Sequence, residues 1–278
     1  MSARTVLITG CSTGIGRALA LEFHRRGHRV WATARKLSTL EPLREQGISV
    51  AELDVDSAGS IAALAAQLQA AGIAIDMLVN NAGYGAMGPL VELPVEEIRQ
   101  QFETNVVGLM AVTQAFAPGM MQRRRGRIVN IGSVSGILVT PFAGAYCASK
   151  AAVHALSDAL RMELAPFGVE VITVQPGAIE SQFGATASQG VDTRKGQTSA
   201  YAAIADAIDA RAGASQDHAT PVVKFARQVV DAVTGSSPAA VVRIGNGSTA
   251  LPALRRLVPL GWLDRVLGQR FRLDQLNR

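Results

Sequence analysis

The fold of this chain is decided by the stretch Thr9-Gly10-Cys11-Ser12-Thr13-Gly14-Ile15-Gly16, which brings three glycines into eight residues. An apolar run, Val6-Leu7-Ile8, precedes it, and an amphipathic segment follows it as far as Gly27. Strand, glycine turn and helix in this order are what a dinucleotide-binding fingerprint requires. The glycines let the backbone approach a pyrophosphate, and the helix N-terminus from about Gly14 offers free N–H groups to the phosphates. A tight turn that binds no ligand is the alternative interpretation.

Strand-like and helix-like segments alternate along the rest of the chain. The predicted strands cover residues 5–9, 29–34, 49–54, 77–80, 127–131, 170–175 and 240–244. Helices are predicted over residues 15–26, 40–45, 57–71, 95–123, 145–165 and 222–234. The strands are short and rich in Val and Ile, as expected of parallel strands covered on both faces. The pattern predicts an α/β fold with a Rossmann-type, doubly wound parallel sheet of about seven strands and helices on both faces.

The domain organisation follows from the same pattern. Residues 1–250 are expected to form one nucleotide-binding domain, in which residues 183–218, rich in Ala, Ser, Gln and Gly, act as a substrate lid. Residues 251–278 form an amphipathic extension in which aliphatic residues alternate with arginines. This extension could lie on a membrane surface, pack on a partner subunit, or dock on the core of its own chain.

Composition excludes several classes of protein. The 278 residues are 18% charged with a formal net charge of +5, and basic and aromatic residues do not interleave, so no nucleic-acid binding is expected. Cys11 and Cys147 offer no disulfide framework, and the four histidines lack ligand spacing, so we expect no metal site. The start Met1-Ser2-Ala3-Arg4 leaves no room for a signal peptide, and no run of about 18 apolar residues exists, so a cytoplasmic location is expected.

Tyr146 and Lys150 are a candidate catalytic pair in the run Tyr146-Cys147-Ala148-Ser149-Lys150. Residues four apart share one face of a helix, so the phenol and the ammonium would lie side by side. The pKa of a free Tyr is about 10, and a neighbouring positive charge lowers that pKa toward neutral pH. Such a Tyr could give a proton to a ketone oxygen or take one from an alcohol. A surface lysine beside a half-buried tyrosine is the alternative for the pair considered alone.

Four motifs together resemble those of the short-chain dehydrogenase/reductase family. They are the turn Gly10-x-x-x-Gly14-x-Gly16, the run Asn80-Asn81-Ala82-Gly83, Ser133 thirteen residues before Tyr146, and Pro176-Gly177. The resemblance covers about residues 4–242 and implies a nicotinamide-dependent oxidoreductase acting on alcohols or carbonyl compounds. The motifs are most similar to those of steroid and retinol dehydrogenases and acyl-dihydroxyacetone-phosphate reductases, which implies a lipophilic ketone, aldehyde or alcohol as substrate.

The resemblance also implies the catalytic roles. Tyr146 would be the proton donor or acceptor, and Lys150 would lower its pKa and hold the nicotinamide ribose. Ser133 would orient the substrate oxygen, with Ser135 as an alternative that the thirteen-residue spacing disfavours. Asn105 would hold a helix kink and a water that leads toward Lys150. Without the other motifs, an Asn inside a helix would be interpreted as a buried structural residue.

Cofactor contacts are implied for segments at the ends of several strands. Asp54 and Val55 would border the adenine, although Asp54 could equally be a helix-capping or core-turn acid, since it lies just before the helix predicted from Ser57. Ser181, at the end of the loop that would cover the nicotinamide carboxamide, stands where the family usually has Thr. The predicted cofactor-binding residues are Gly10, Ser12, Thr13, Gly14, Ile15, Gly16, Arg35, Lys36, Asp54, Val55, Asn81, Ala82, Gly83, Tyr146, Lys150, Pro176, Gly177, Ile179 and Ser181.

The end of the second predicted strand favours NADP(H) over NAD(H). Its last residues, Ala32-Thr33-Ala34, include no acid that could bind a ribose 2′-hydroxyl, and Arg35-Lys36 follows. A carboxylate would repel a 2′-phosphate, whereas a guanidinium binds it with a bidentate fork. Ser12 and Thr13 could add hydroxyl groups from the glycine turn. An ordinary solvated role for Arg35 is the alternative.

Substrate and partners are the least readable part of the sequence. The walls near the site are expected to be apolar, from Tyr84, Met87, Leu90, Ile137, Leu138, Val139, Phe142 and Phe183. We expect a small lipophilic substrate, a homo-oligomer (dimer or tetramer), and peripheral membrane contact through residues 251–278 as one alternative. Three other functions stay open: an NAD-dependent dehydrogenase of a polar alcohol, a non-catalytic NADP(H) sensor that regulates a partner, and an interaction scaffold that works through the C-terminus.

Overall fold

The central element is a seven-stranded, fully parallel sheet in a computed structural model that describes residues 3–181 and 199–277. The strands are β1 (Thr5–Ile8), β2 (Arg29–Ala34), β3 (Ser49–Glu52), β4 (Met77–Asn80), β5 (Gly126–Ile131), β6 (Val169–Pro176) and β7 (Val241–Ile244). Their order in the sheet is β3-β2-β1-β4-β5-β6-β7. All seven strands were predicted, with ends that differ by one or two residues, and the Rossmann-type fold is confirmed.

Ten α-helices are found in the described part of the chain. They are α1 (Gly14–Arg25), α2 (Glu41–Arg44), α3 (Ala58–Ala70), α4 (Val95–Phe102), α5 (Gly108–Gln122), α6 (Gly144–Leu164), α7 (Ala205–Gly213), α8 (Val222–Thr234), α9 (Ala250–Leu257) and α10 (Leu260–Arg270). Among the described residues, no helix is both long enough and apolar enough to cross a membrane.

Both faces of the sheet are covered, which explains why the strands lack alternation. On one face, Phe23 of α1 and Phe225 of α8 are fully buried with strand residues such as Ile8. On the other face, Leu64 of α3 and Phe116 of α5 pack in a second cluster. The strands β1, β4, β5 and β6 therefore bury side chains in both directions, as parallel sheets with helices on both faces require, whereas the edge strand β7 exposes Val241 and Arg243.

Residues 95–122 of the helix predicted over 95–123 are helical, but a π-helical turn at Glu103–Val107 interrupts the α-helical pattern between α4 and α5, where the resemblance implied a kink. Asn105 lies inside this turn, and its side-chain amide donates hydrogen bonds to the Tyr84 carbonyl oxygen (3.0 Å) and to Ser149 Oγ (3.0 Å). Single π turns are rare and frequently occur at functional sites.

The strand order reverses at β1: β2 and β3 lie on one side of it, and β4 to β7 lie on the other. Ligands bind in the crevice at the carboxyl ends of the strands at such a switch point. The glycine turn follows β1, Asn81 follows β4, and Ser133 follows β5. Because the strands are parallel, these segments meet at one edge of the sheet.

The C-terminal segment docks on its own chain. Phe271 is buried in a third cluster with Met87, Phe142 and Tyr146, and Leu267 of α10 packs against it. Of the three arrangements considered for residues 251–278, the structure shows packing on the core of the same chain. The division of the chain at residue 250 stays a prediction. Residues 183–198 of the predicted lid, including Phe183, lie outside the described residues, whereas α7 forms within its second half.

Candidate active site

A cleft of about 930 Å³ runs along the carboxyl ends of the strands. It is lined by every predicted cofactor-binding residue except Lys36, so that Tyr146 and Lys150 are among its lining residues. The predicted catalytic residue Ser133 lines it as well. Asn105 does not line it but lies behind its wall at 1% exposure. Helices α9 and α10 close the far side of the cleft with apolar side chains.

The glycine turn has the shape that a dinucleotide pyrophosphate needs. Gly10 and Gly14 have φ angles of +72° and +56°, a region that L side chains rarely adopt. A Cβ atom at Gly16 would lie 2.3 Å from the Gly10 carbonyl oxygen, so only glycine lets α1 pack this closely. Within the described structure, the side chain of the N-cap residue Thr13 makes no capping hydrogen bond, which leaves the first N–H groups of α1 to a ligand.

Thr9 and Asn81 hold the glycine turn against the segment that follows β4. Asn81 Nδ2 donates to the carbonyl oxygens of Thr9 (2.9 Å) and Gly10 (3.1 Å). The Thr9 hydroxyl in turn accepts from the backbone N–H groups of Asn81 (3.0 Å) and Ala82 (2.9 Å). The sequence analysis assigned no role to Thr9, although the residue stands at the start of the glycine turn.

Arg35 and Asp54 reach the cleft at the ends of β2 and β3, respectively. Arg35 is exposed, as an anion-binding residue at the rim would be, and Lys36 is exposed but does not line the cleft. The Asp54 carboxylate accepts from the Asp56 N–H (3.1 Å), whereas Ser57 caps α3 by accepting from the Ser60 N–H (3.2 Å). Ser57 and not Asp54 therefore caps the helix, and the bond to the Asp56 N–H fits the alternative of a turn acid.

Tyr146 and Lys150 lie side by side on α6, with Lys150 Nζ 6.0 Å from the centre of the Tyr146 ring. Burial raises the pKa of Tyr146 to about 12, although a hydrogen bond with the Ser133 side chain opposes this shift. Burial lowers the pKa of Lys150 to about 8, and its ammonium donates to the Ile131 carbonyl oxygen at 2.8 Å. The expected lowering of the Tyr146 pKa by Lys150 is not seen: loss of solvent around the phenol dominates, and the charge that opposes it is that of Arg211.

His154 supports the loop that carries Ser133. Its Nε2 lies 3.4 Å from the Ser133 backbone nitrogen, which donates to it. Burial lowers the pKa of His154 to about 4, so the ring is neutral and can accept this bond at neutral pH. A Cβ atom at Gly132 would lie 2.5 Å from the same nitrogen, which shows how closely the imidazole packs under the loop. The sequence analysis assigned no role to this histidine.

Asn105 connects three parts of the site from behind. Besides donating to Tyr84 and Ser149, its Oδ1 accepts from the Tyr84 N–H at 3.1 Å. Ser149 precedes Lys150 on α6, so the amide fixes α6 relative to the loop after β4. A Cβ atom at Gly83 would lie 2.9 Å from Asn105 Oδ1 and 3.8 Å from Lys150 Nζ. The predicted catalytic Asn therefore lies beside the lysine without reaching the cleft.

The far side of the cleft is formed by residues that the sequence analysis did not single out as site residues. We call this the substrate half of the cleft: Arg211, Leu251, Leu254, Leu263, Val266, Leu267, Arg270 and Phe271. Tyr84 and Leu138 line the cleft as predicted, whereas Leu90 and Val139, at 53% and 57% exposure, lie on the surface. Arg211 had no signal in the sequence, because its position depends on how α7 folds over the site.

Comparison with known proteins agrees with this geometry. The sequence profile of the short chain dehydrogenase family matches residues 4–192. A short-chain dehydrogenase of Penicillium ochrochloron, ptmH, is 41% identical over 234 residues, covering 83% of this chain and 84% of that protein. A solved short-chain dehydrogenase from Streptomyces avermitilis has a TM-score of 0.79 and 30% identity, covering 100% of this chain and 98% of the other.

A second solved structure was determined with a nucleotide. The closed form of serine dehydrogenase in complex with NADP⁺ has a TM-score of 0.76 and 28% identity, covering 88% of this chain and 96% of that one. The chain belongs to the short-chain dehydrogenase/reductase family of oxidoreductases. Its cleft therefore combines a Rossmann-type nucleotide-binding fold with a tyrosine, a lysine and a serine at one end.

Proposed function

We propose that this protein is an NADP(H)-dependent oxidoreductase that interconverts a lipophilic ketone or aldehyde and the corresponding alcohol. The observation that carries the proposal is the meeting of Tyr146, Ser133 and Lys150 in a cleft that begins at the glycine turn. A nucleotide whose pyrophosphate lay on the glycine turn would run along the strand ends toward Tyr146.

The residues of the chain supply the proton chemistry of the reaction. A bound nicotinamide would supply the hydride chemistry. In the reductive direction, Tyr146 donates its phenolic proton to the substrate's carbonyl oxygen, which becomes the alcohol oxygen. Because its pKa lies at about 12, Tyr146 is protonated at neutral pH and ready to act as an acid. Ser133 and the ammonium of Lys150 stabilise the phenolate that remains, and a solvent proton restores the phenol.

The preference for NADP(H) is supported by charge at the adenosine end of the cleft. Arg35 lines the cleft there and is exposed, and β2 ends in Ala34 rather than in an acid. A guanidinium binds a 2′-phosphate better than a 2′-hydroxyl. The NADP⁺ complex of serine dehydrogenase, a protein of similar fold, is consistent with this proposal.

The lipophilic substrate is supported by the substrate half of the cleft. Leu254 of α9, together with Leu263 and Leu267 of α10, faces the space beyond Tyr146. Leu263 is only 2% exposed, so the wall is a packed apolar surface. The steroid- or retinol-like nature of the substrate, the cytoplasmic location, the homo-oligomer and the peripheral membrane contact stay predictions from the sequence.

The test is a panel of aldehydes and ketones with NADPH oxidation as the readout, on the unmodified protein and on Tyr146→Phe. The variant keeps the ring, so we expect NADPH affinity to stay within a few-fold while kcat falls by at least about a hundredfold. Tyr201→Phe is the matched control, because Tyr201 packs edge-on against Phe142 and does not line the cleft.

Near-normal turnover by Tyr146→Phe would overturn the proposed mechanism. Tight NADPH binding without turnover of any carbonyl compound would favour the sensor instead. Faster turnover with NADH on polar substrates would favour the dehydrogenase of a polar alcohol.

A further inference from the structure

Arg211 is a buried cation in the substrate half of the cleft. It belongs to α7, is 7% exposed, and lines the cleft together with Tyr146. Its Nε donates to Thr140 Oγ1 at 2.7 Å, and the guanidinium also contacts the thiol of Cys147. A guanidinium carries five N–H donors, and these two contacts use only some of them on a side chain that lines the cleft.

The charge of Arg211 has no carboxylate partner among residues 3–181 and 199–277. The titratable groups whose charges act on it are Cys147, Tyr146 and Arg270. Arg270 is a second cation at the rim of the same cleft. Burial opposes the charged form and lowers the pKa of Arg211, although arginine stays protonated at neutral pH. Buried charges are normally paired, so a buried cation that has no carboxylate partner among the described residues is suited to bind an anionic ligand.

We propose that Arg211, assisted by Arg270, binds an anionic oxygen group of the substrate. This inference rests on the proposed function and names the substrate class: an amphipathic oxo acid or hydroxy acid. Its carbonyl or alcohol would lie at Tyr146 and Ser133, its apolar body against α9 and α10, and its anion at Arg211. The planar guanidinium fork fits a carboxylate or a phosphate, which accept two parallel hydrogen bonds.

A purely structural role of Arg211 would give a different experimental result from an anion-binding role. Arg211 could serve only to fasten α7 to the loop that carries Thr140, or to act on Tyr146 through its charge. In both cases its loss would affect every substrate alike. An anion-binding role instead separates acidic substrates from neutral ones of the same shape.

The experiment compares three aldehyde probes with NADPH and the full chain: 4-formylbenzoate, its uncharged methyl ester, and 4-formylphenyl phosphate. We expect the unmodified protein to prefer an acidic probe over the ester by at least about tenfold in kcat/KM, as for a hydrogen-bonded charge pair. Arg211→Gln should remove this preference mainly through the KM of the acidic probes. The effect of the lost charge on Tyr146 should be the same for acid and ester, so the acid-to-ester ratio of kcat/KM is the readout. Arg211→Lys should retain part of the preference, and Arg270→Gln should reduce it less.

Arg265→Gln is the matched control, because Arg265 is exposed on α10 and lies outside the cleft lining. It should not alter the acid-to-ester ratio. The acidic probe whose kcat/KM falls more in Arg211→Gln identifies the anion as carboxylate or phosphate. If Arg211→Gln does not fold, competition on the unmodified protein decides: benzoate should inhibit reduction of the ester at least tenfold better than benzamide.

Two results separate this inference from the proposed function. The anion site would be overturned if Arg211→Gln lowered kcat/KM equally for acid and ester, or if the unmodified protein preferred neither acidic probe over the ester. In both cases the proposed function, tested by Tyr146-dependent turnover, would stand. If no probe is reduced, the proposed function fails, and titration of NADP⁺-saturated protein with 4-(hydroxymethyl)benzoate decides on the anion site. Binding that Arg211→Lys weakens would support the site, and absence of binding would overturn it.

Discussion

The two halves of the cleft are built in different ways. The cofactor half, which comprises the glycine turn and the segments after β2, β3, β4 and β6, is shaped by the backbone. Its decisive contacts are main-chain hydrogen bonds to Thr9 and Asn81 and the close approach of Gly16 to the Gly10 carbonyl oxygen. The substrate half is shaped by side chains on α7, α9 and α10, which follow in the last third of the chain.

The difference indicates how each half responds to change. A backbone cradle has no side chain that can adjust, so a single added methyl group must displace main-chain atoms. An apolar wall made of leucines tolerates changes in volume, because neighbouring side chains can repack. We therefore expect substitutions in the cofactor half to be severe and general, and those in the substrate half to be mild and selective.

The largest effect in this comparison is expected for Gly16→Ala. The new methyl group would lie 2.3 Å from the Gly10 carbonyl oxygen, so the turn must move away from α1. Overpacking of this kind costs about 1–3 kcal/mol, and we expect the dissociation constant for NADPH to rise roughly 30-fold. Gly59→Ala is the control, since Gly59 is exposed on α3 and has only Ser57 Oγ, at 3.9 Å, near its Cβ position. Calorimetric titration and thermal melting check both variants, and unchanged NADPH affinity in Gly16→Ala would contradict the rigid cradle.

An intermediate effect is expected for Arg35→Asp. The substitution places a carboxylate where a 2′-phosphate would bind, so NADPH should bind at least about tenfold more weakly and NADH more tightly. The same change at Lys36, which lies outside the lining, should have a smaller effect. Dissociation constants for both nucleotides give the answer. Equal affinities for NADPH and NADH in the unmodified protein would show that Arg35 does not select the cofactor.

The smallest effect is expected for Leu267→Ala in the substrate half. Removing part of an apolar wall weakens contact with an apolar substrate, so the KM for decanal should rise roughly fivefold. The dissociation constant for NADPH should stay within about twofold, because Leu267 lies on the substrate half of the cleft. Leu257→Ala is the control, since Leu257 is 78% exposed on α9. If Leu267→Ala raised the dissociation constant for NADPH by a larger factor than the KM for decanal, the two halves of the cleft would not be functionally distinct.

The cofactor half could be predicted closely because its signals are local. Glycines at fixed spacing, an amide after β4 and an acid-free end of β2 are each visible within a few neighbouring residues. A kink at Asn105 was implied by the resemblance, but its form as a π turn at Glu103–Val107 was not predicted, because Asn105 is bonded to Tyr84 and Ser149, which are distant in sequence. The pKa of Tyr146 was expected to fall and instead rises, since burial depends on the packing of Met87, Phe142 and Phe271 around it.

The sequence by itself determined the Rossmann-type sheet, the family, and which residues meet at the strand ends. Local backbone geometry and parallel pairing are sufficient to bring those residues together. Only the tertiary structure decided that α9 and α10 close the cleft, that His154 lies under the Ser133 loop, and that Arg211 stands buried beyond Tyr146. These contacts join residues far apart in the chain, and their energy depends on burial and charge, which only the folded arrangement creates.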